Sequence, residues 1–339
     1  MKAGNFLPVF ILLTAVASPA HLAAQATSTS PSTELRTGSG QAYPAKPIRV
    51  IVPFPPGGGS DFIARTISLR LPALLGQNLI LDNRGGAGGN IGAEIVAKAP
   101  PDGYTLLIAN NSLTVNASLY RKLPYDPFRD FAPIAMTGTS PNAVIVHPSL
   151  PVRSVKELIA LAKARPDQIT FASSGAGSPS HLAGELFRAR TGSRFLHVAY
   201  KGAGPMIVDQ IGGHVMLSFT ALIVSKPFVD SGKLRALAVT TEKRWAGAPQ
   251  IPTVAEAGYP GLDAYGWWAF FAPAGTPRPI IDRLAADIGK VMQMPDIRER
   301  FAAQGTDAQT STPDSLAAFL RKDFDLWDKL IKQLGIKLD

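Results

Sequence analysis

The chain has 339 residues, no cysteine, 34 Lys and Arg against 25 Asp and Glu, and a formal net charge of +9. Without cysteine there are no disulfides, no thiolate metal sites and no lipidated lipobox cysteine, so stability must come from a core, which this length supplies, most naturally as two domains. The positive residues are scattered, with no Lys/Arg run and no basic–aromatic interleaving, which argues against a nucleic-acid surface and leaves solubility and a weak attraction for anions.

The N-terminus reads as an export signal. Lys2 gives a basic start, residues 6–17 form a short apolar run, and Ala24-Gln25-Ala26 is a small-x-small cleavage site. A secretory signal peptide over 1–26 follows, with an exported, soluble mature protein. The alternative is an uncleaved anchor, but the run is shorter than the ~20 residues of a membrane span. Residues 27–42, "TSTSPSTELRTGSGQA", carry almost no large apolar side chains. They read as a flexible leader, or equally a passive tail, because they cannot bury enough surface to offset ordering.

From Tyr43 short β-rich runs alternate with helical segments. Strands are expected over 48–54, 78–81 and 104–109, with helices over 61–74 and 90–99 and a turn at 100–103. A further strand covers 143–147, and Ser154 with Glu157 forms a capping box opening a helix to 164. Strands over 169–172, 195–199 and 215–219 alternate with helices over 179–191, stopped by Gly192, and 205–211. Strands over 235–239 and 268–272 follow, then a helix opened by Thr276 as cap with Pro277 behind it, and helical segments to about 334.

This order implies an α/β fold of two lobes, each an open, mostly parallel sheet flanked by helices. Lobe 1 is expected over 43–142 plus 264–339, with the C-terminal helices packing back on it, and lobe 2 over 143–263. Ligands in such sheets sit beyond the carboxyl ends of the strands, here in the interlobe cleft.

Four Gly-rich turns each follow a strand and precede a helix: "FPPGGGSD" (54–61), "NRGGAGGN" (83–90), "SSGAGSPSH" (173–181) and "YKGAGP" (200–205). Helix starts offer unpaired N–H groups and a positive dipole end, and glycine lets a ligand come close, so such turns hold phosphate or carboxylate. None ends in the Lys-Ser/Thr of a phosphate loop. The dinucleotide pattern G-x-G-x-x-G fails at Ile91, Ser180 and Ile207, and Asp61 would repel a polyphosphate. One turn alone would be a tight connection with no ligand. Four, two per lobe, point to a cleft for a small anion.

Catalysis has weaker support. There is no G-x-S-x-G elbow, and His147, His181, His197 and His214 show no metal-ligand spacing, so neither metal nor cofactor is expected. Ser174 with His181 leaves a secreted hydrolase as an alternative, against the plainer reading of His181 as a capping or packing residue. Asp61 likewise reads as a helix-dipole carboxylate before a general base. Of Trp267, Trp268, Phe270 and Phe271, alternation along a strand sends some toward the cleft and others into the core.

From Tyr43 to about Leu338 the chain resembles the Bug-type extracytoplasmic solute receptors of tripartite tricarboxylate transporters. The resemblance is carried by "YPAKPIRVIVPFPPGGGSDFIAR", "DNRGGAGGNIGAEIVAKAPPDGYTLL", "LYRKLPYDPFRDFAPIA", "SSGAGSPSHLAGELF", "YKGAGP", "LRALAVTT", "IPTVAEAGYPG" and "FFAPAGTP". It implies a two-lobed Venus-flytrap periplasmic-binding-protein fold and no catalysis. A small carboxylate, such as citrate, an amino acid, nicotinate or an aromatic acid, is then delivered by a monomer to integral-membrane transporter subunits. A ligand sensor serving a signalling partner would use the same form.

In that family the carboxylate is held by backbone amides and waters of the glycine loops. Here these are Phe54, Pro55, Gly57, Gly58, Ser60 and Asp61; Gly86, Ala87, Gly88 and Asn90; and Ser174, Gly175, Gly177 and Ser178, joined by His181, Lys201 and Thr220. Three departures stand out. Gly59-Ser60 replace a frequent Pro-Thr, Gly85 replaces a frequent proline, and Thr220 ends a strand where the family often has Asp. Losing that acid removes a partner for an amino group and favours a plain carboxylate.

Overall fold

The computed structural model describes residues 42–335; the expected signal peptide and all but the last residue of the leader lie outside them. In chain order the elements are β1 (Ile48–Val52), α1 (Gly59–Ile67), α2 (Leu71–Leu75), β2 (Leu79–Asn83), a 3-10 turn (Ala87–Gly89), α3 (Asn90–Ala97), β3 (Thr105–Asn110) and α4 (Ser112–Leu119). Then come β4 (Phe131–Val146), α5 (Val155–Ala164), β5 (Thr170–Ser173), α6 (Pro179–Thr191), β6 (Leu196–Ala199), α7 (Ala203–Ile211), β7 (Leu217–Ala221), α8 (Leu222–Asp230) and β8 (Arg235–Val239). The chain closes with β9 (Tyr265–Pro273), α9 (Arg278–Gln293), α10 (Pro295–Ala303), β10 (Asp307–Ala308) and α11 (Pro313–Leu334).

Local chemistry sets these boundaries. In α6, Ser178 accepts a hydrogen bond from the His181 N–H, Pro179 takes the first turn, and Gly192 closes the helix in the left-handed conformation. In α5, Ser154 accepts from the Glu157 N–H as the capping box requires. The single helix expected over 61–74 is two. Pro72 cannot donate to the carbonyl four residues back and its ring crowds that turn. The Ser68 hydroxyl instead donates to the Ala64 carbonyl at 2.7 Å. Thr276 does not cap α9. Its hydroxyl donates to the Pro273 carbonyl at 2.8 Å, and Pro277 precedes the helix.

The strands form one sheet of ten, in the order β2-β1-β3-β9-β4-β7-β5-β6, with β8 and β10 also on β4. The outer triplets are parallel: β1 with β2 and β3, and β5 with β6 and β7. The centre is antiparallel, β9 against β3 and β4, and β4 against β7 and β8. The sheet is therefore mixed where a mostly parallel one was expected. The cause is the crossing: β4 carries the chain from one half into the other and β9 brings it back, so the two run opposite ways. β4 changes partner between Pro141, opposite Tyr265, and Asn142, opposite Ala221.

Apolar residues pack both halves. Ile48, Val50, Val52, Ile63 and Ile67 meet Leu284 and Ile288 of α9. Val144, Phe171, Leu182, Phe187 and Phe219 build the second core. Helix α11 contributes to two cores. Leu316 and Leu320 join Trp267 and Phe271, while Trp327 and Ile331 join the second core. At 22 residues and ~1.5 Å per residue it is long enough to brace both halves.

Candidate functional site

Helices α1, α4, α6, α7 and α8 all begin around one open cavity. One wall is Phe54, Gly58, Gly59 and Ser60 at the start of α1, with Asn110 and Asn111 at the start of α4. The facing wall is Ser174, Pro179 and Ser180 at α6, Ala203 at α7, and Thr220, Ala221 and Val224 at α8. Asn142 of β4 and Gly266 and Trp268 of β9 complete it. These positions lie at the carboxyl ends of β1, β3, β5 and β7, where an open α/β sheet places its ligand.

None of the lining side chains is charged. The positive field comes from helix ends. α1 and α7 have no side-chain cap, so their first N–H groups and dipoles face the space unmodified, whereas at α4 the Ser112 N–H donates to Asn110 Oδ1 and at α8 the Ile223 N–H donates to Ser140 Oγ. α6 is different: Ser178 caps it and Pro179 has no N–H. Ser60 Oγ, Asn142 Nδ2 and Trp268 Nε1 are buried without a hydrogen-bond partner. All three residues line the cavity.

A second open cavity is lined by Gly86, Ala87 and Gly88 on one side and Gly175, Tyr200 and Lys201 on the other. Phe54 and Ser174 line both. The two halves touch beside it. A Cβ on Gly204 would lie 2.4 Å from the Pro56 carbonyl oxygen, so the turn before α1 and the start of α7 meet backbone to backbone.

The residues expected from sequence thus divide. Phe54, Gly58, Ser60, Ser174 and Thr220 line the first cavity; Gly86, Ala87, Gly88, Gly175 and Lys201 line the second. The rest support the walls. Asp61 accepts from the Gly57 N–H at 3.1 Å, Asn83 at 3.2 Å and Arg65 at 2.9 Å. Burial alone would raise its pKa, but the hydrogen bonds from Arg65, Gly57 and Asn83 outweigh it and hold the carboxyl below its usual range. Asn90 Oδ1 accepts from Asn116 at 2.6 Å and from the Tyr125 hydroxyl at 2.9 Å, fixing the start of α3. Pro55 packs against Gly202 and Gly85.

His181 lines neither cavity. Its Nδ1 accepts from the Gly177 N–H at 3.2 Å, and its ring stacks on His197 with centroids 4.3 Å apart. His197 Nε2 is hydrogen-bonded to Ser173 Oγ at 2.7 Å. Burial lowers both imidazoles to about 4, helped for His181 by Arg188 and for His197 by its neighbour. The neutral pair therefore props the loop from Ser173 to Ser178. Ser174 Oγ pairs with Ser180 Oγ at 3.0 Å, so the hydroxyl and the imidazole of the hydrolase alternative have separate partners.

Residues 63–336 match the family described as tripartite tricarboxylate transporter family receptor. The chain belongs to that family. It is 41% identical over 302 residues to Protein BugT of Bordetella pertussis, covering 88% of this chain and 93% of that protein. The fold matches that of periplasmic binding protein BugD with a TM-score of 0.84 at 33% identity, covering 87% of this chain and 99% of the other. It matches equally R. palustris Rpa4515 with adipate, TM-score 0.84, 38% identity, 87% and 99% covered. The protein is a Bug-type receptor with the periplasmic-binding-protein fold, a solute-binding component of the tripartite tricarboxylate class.

In this receptor the sequence reading missed Asn142, Asn110 and Asn111 as wall residues. "NNS" directly after the strand over 104–109 was a readable signal, since asparagine favours a helix start. Asn142 carried none: it lies inside a strand whose start was masked by Pro133, Gly138 and Pro141.

Proposed function

We propose that this receptor works in the periplasm as a monomer without catalysis, binding a small carboxylate between lobes formed by 43–142 plus 264–339 and by 143–263. It then delivers the ligand to the membrane subunits of its transporter. The observation that carries this is the convergence of five helix starts on a cavity without a charged side chain. Backbone N–H groups and dipoles hold an anion there without a buried Arg or Lys that would need its own partner. The adipate-bound relative supports the ligand class.

Phe54, Gly58 and Ser60 act from one lobe, and Ser174 and Thr220 from the other. Bridging makes the closed form bind better than the open one, so ligand drives closure. Gly86, Ala87, Gly88, Gly175 and Lys201 form the approach, with Lys201 adding attraction for anions. Asp61, Asn90 and His181 hold the loops. Thr220 leaves the cavity without a carboxylate to neutralise an ammonium group. A thermal-shift screen of the mature chain against mono-, di- and tricarboxylates tests the reading. At least one acid raises the Tm by mass action; a flat response to all of them refutes it.

A further inference from the structure

The two halves of the molecule meet in two different ways. At the turns before α6 and α7, glycine and proline backbone touch. A Cβ on Gly202 would lie 2.7 Å from Pro55 Cδ, one on Gly204 2.4 Å from the Pro56 carbonyl oxygen, and one on Gly88 3.4 Å from the Ala176 carbonyl oxygen. Among the described residues no hydrogen bond joins these turns across the gap. Contacts of this kind bury few apolar atoms and separate at little cost.

Helix α8 meets the first half through packing and hydrogen bonds instead. Leu222 and Ile223 are buried. A Cβ on Gly305, in the turn after α10, would lie 3.0 Å from Leu222 Cβ and from Lys226 Cδ, and one on Gly59 of α1 would lie 3.0 Å from Ile223 Cγ2. Ser140 ties this contact together. Its hydroxyl donates to the Gly305 carbonyl at 3.1 Å and accepts from the Ile223 N–H at 3.1 Å. Ser140 is fully buried and lies on β4 just before that strand changes partner. Pulling α8 away from this half would return Leu222 and Ile223 to water and strip the Ile223 N–H of its acceptor.

We propose that α8 moves with the half built from 43–142 plus 264–339, held there by Ser140 as a positioning residue, while the starts of α6 and α7 open and close over it. The proposal rests on the carboxylate-receptor reading, and it sets α8 apart from the rest of 143–263. Val224 then stands beside Gly58 and Ser60 before ligand arrives, and Ser174 and Ala203 join them on closure. Ligand meets a preformed part of the site, so less ordering is left to be done at the moment of binding.

The chain has no cysteine, so spin labels report on introduced sites alone. Leu69 after α1, Leu196 on the outermost strand of the second half and Ser231 directly after α8 are all exposed. Two doubly labelled mature chains, Leu69→Cys with Leu196→Cys and Leu69→Cys with Ser231→Cys, are measured by double electron–electron resonance. Each is taken with and without the tightest binder among benzoate, succinate, adipate, terephthalate and citrate. The first distance is expected to change by more than ~2 Å on binding, and the second to stay within about 1 Å. Ser140→Ala should make the second distance ligand-dependent and lower affinity about tenfold in calorimetry. Equal changes in the two pairs, no change in either despite binding, or a Ser140→Ala variant that moves neither readout overturns the proposal while leaving the receptor reading intact. No binding by any of the five acids refutes the receptor reading itself.

Discussion

Gly59 and Trp268 constrain each other. The first residue of α1 has no side chain because the indole occupies that volume, with Ile223 Cγ2 a further 3.0 Å from the same Cβ position. Gly59→Ala should therefore destabilise the protein by about 1–3 kcal/mol despite alanine's better helix propensity, since overpacking outweighs a gain of ~1 kcal/mol. Denaturant unfolding checks this, and an unchanged midpoint would show that Trp268 moves aside freely. The sequence displayed the glycine run and the tryptophans but not their contact, which joins positions 209 residues apart. Residues whose role is local were readable: Ser154, Ser178 and Gly192 sit where capping chemistry places them. His181 was readable as a packing residue, but its partner His197 was not, because strand β6 supplies it from across the parallel pair with β5.

The buried histidines have a pH consequence. A folded pKa of about 4 against 6.5 means the unfolded chain binds more protons between those values. Their neutral packing contributes fully above pH 6.5, and the contribution falls as pH drops toward 4, by roughly 3 kcal/mol for His181. Asp323 acts oppositely. Burial raises its carboxyl to about 6, against the hydrogen bond from Thr114, so its contribution is greatest below 3.8 and is lost as pH rises through 6. Two histidines outweigh one carboxyl, so Tm should fall on acidification from 6.5 to 4. Asp323→Asn should steepen that fall, and a Tm that rises on acidification would contradict the assignment of the histidines as neutral.

Among elements, the meeting of the β1–α1 turn with the start of α7 is the point where the two walls touch. With the Gly204 Cβ position 2.4 Å from the Pro56 carbonyl oxygen, any side chain there must separate the halves. Gly204→Ala should weaken carboxylate binding by about tenfold or more while leaving the unliganded Tm nearly unchanged. Equal affinity in calorimetry would mean that this contact is not part of closure. Elements with sharp punctuation, such as α6, were legible to the residue. α4 was not, because it is buried on most sides and shows no amphipathic period. β4 was read only at its end, because prolines 133 and 141 and bulges near 133–138 interrupt the strand signal.

For the whole molecule, alternating strands and helices made an α/β fold legible, and the family resemblance named it. The antiparallel centre was not legible, since strand direction depends on how β4 crosses and β9 returns. Nor was the reach of α11 onto both cores, which amphipathic period alone does not specify. In the proposed site a carboxylate is enclosed by helix starts around Gly58. Calorimetric titration of the mature chain and its Gly58→Leu variant, with the acid that gives the largest thermal shift, tests it most directly. We predict one ligand per chain for the parent, and no measurable binding for a variant that still melts cooperatively near the parent Tm. Equal affinity in the two proteins, or no binding of any carboxylate by the parent, would contradict it.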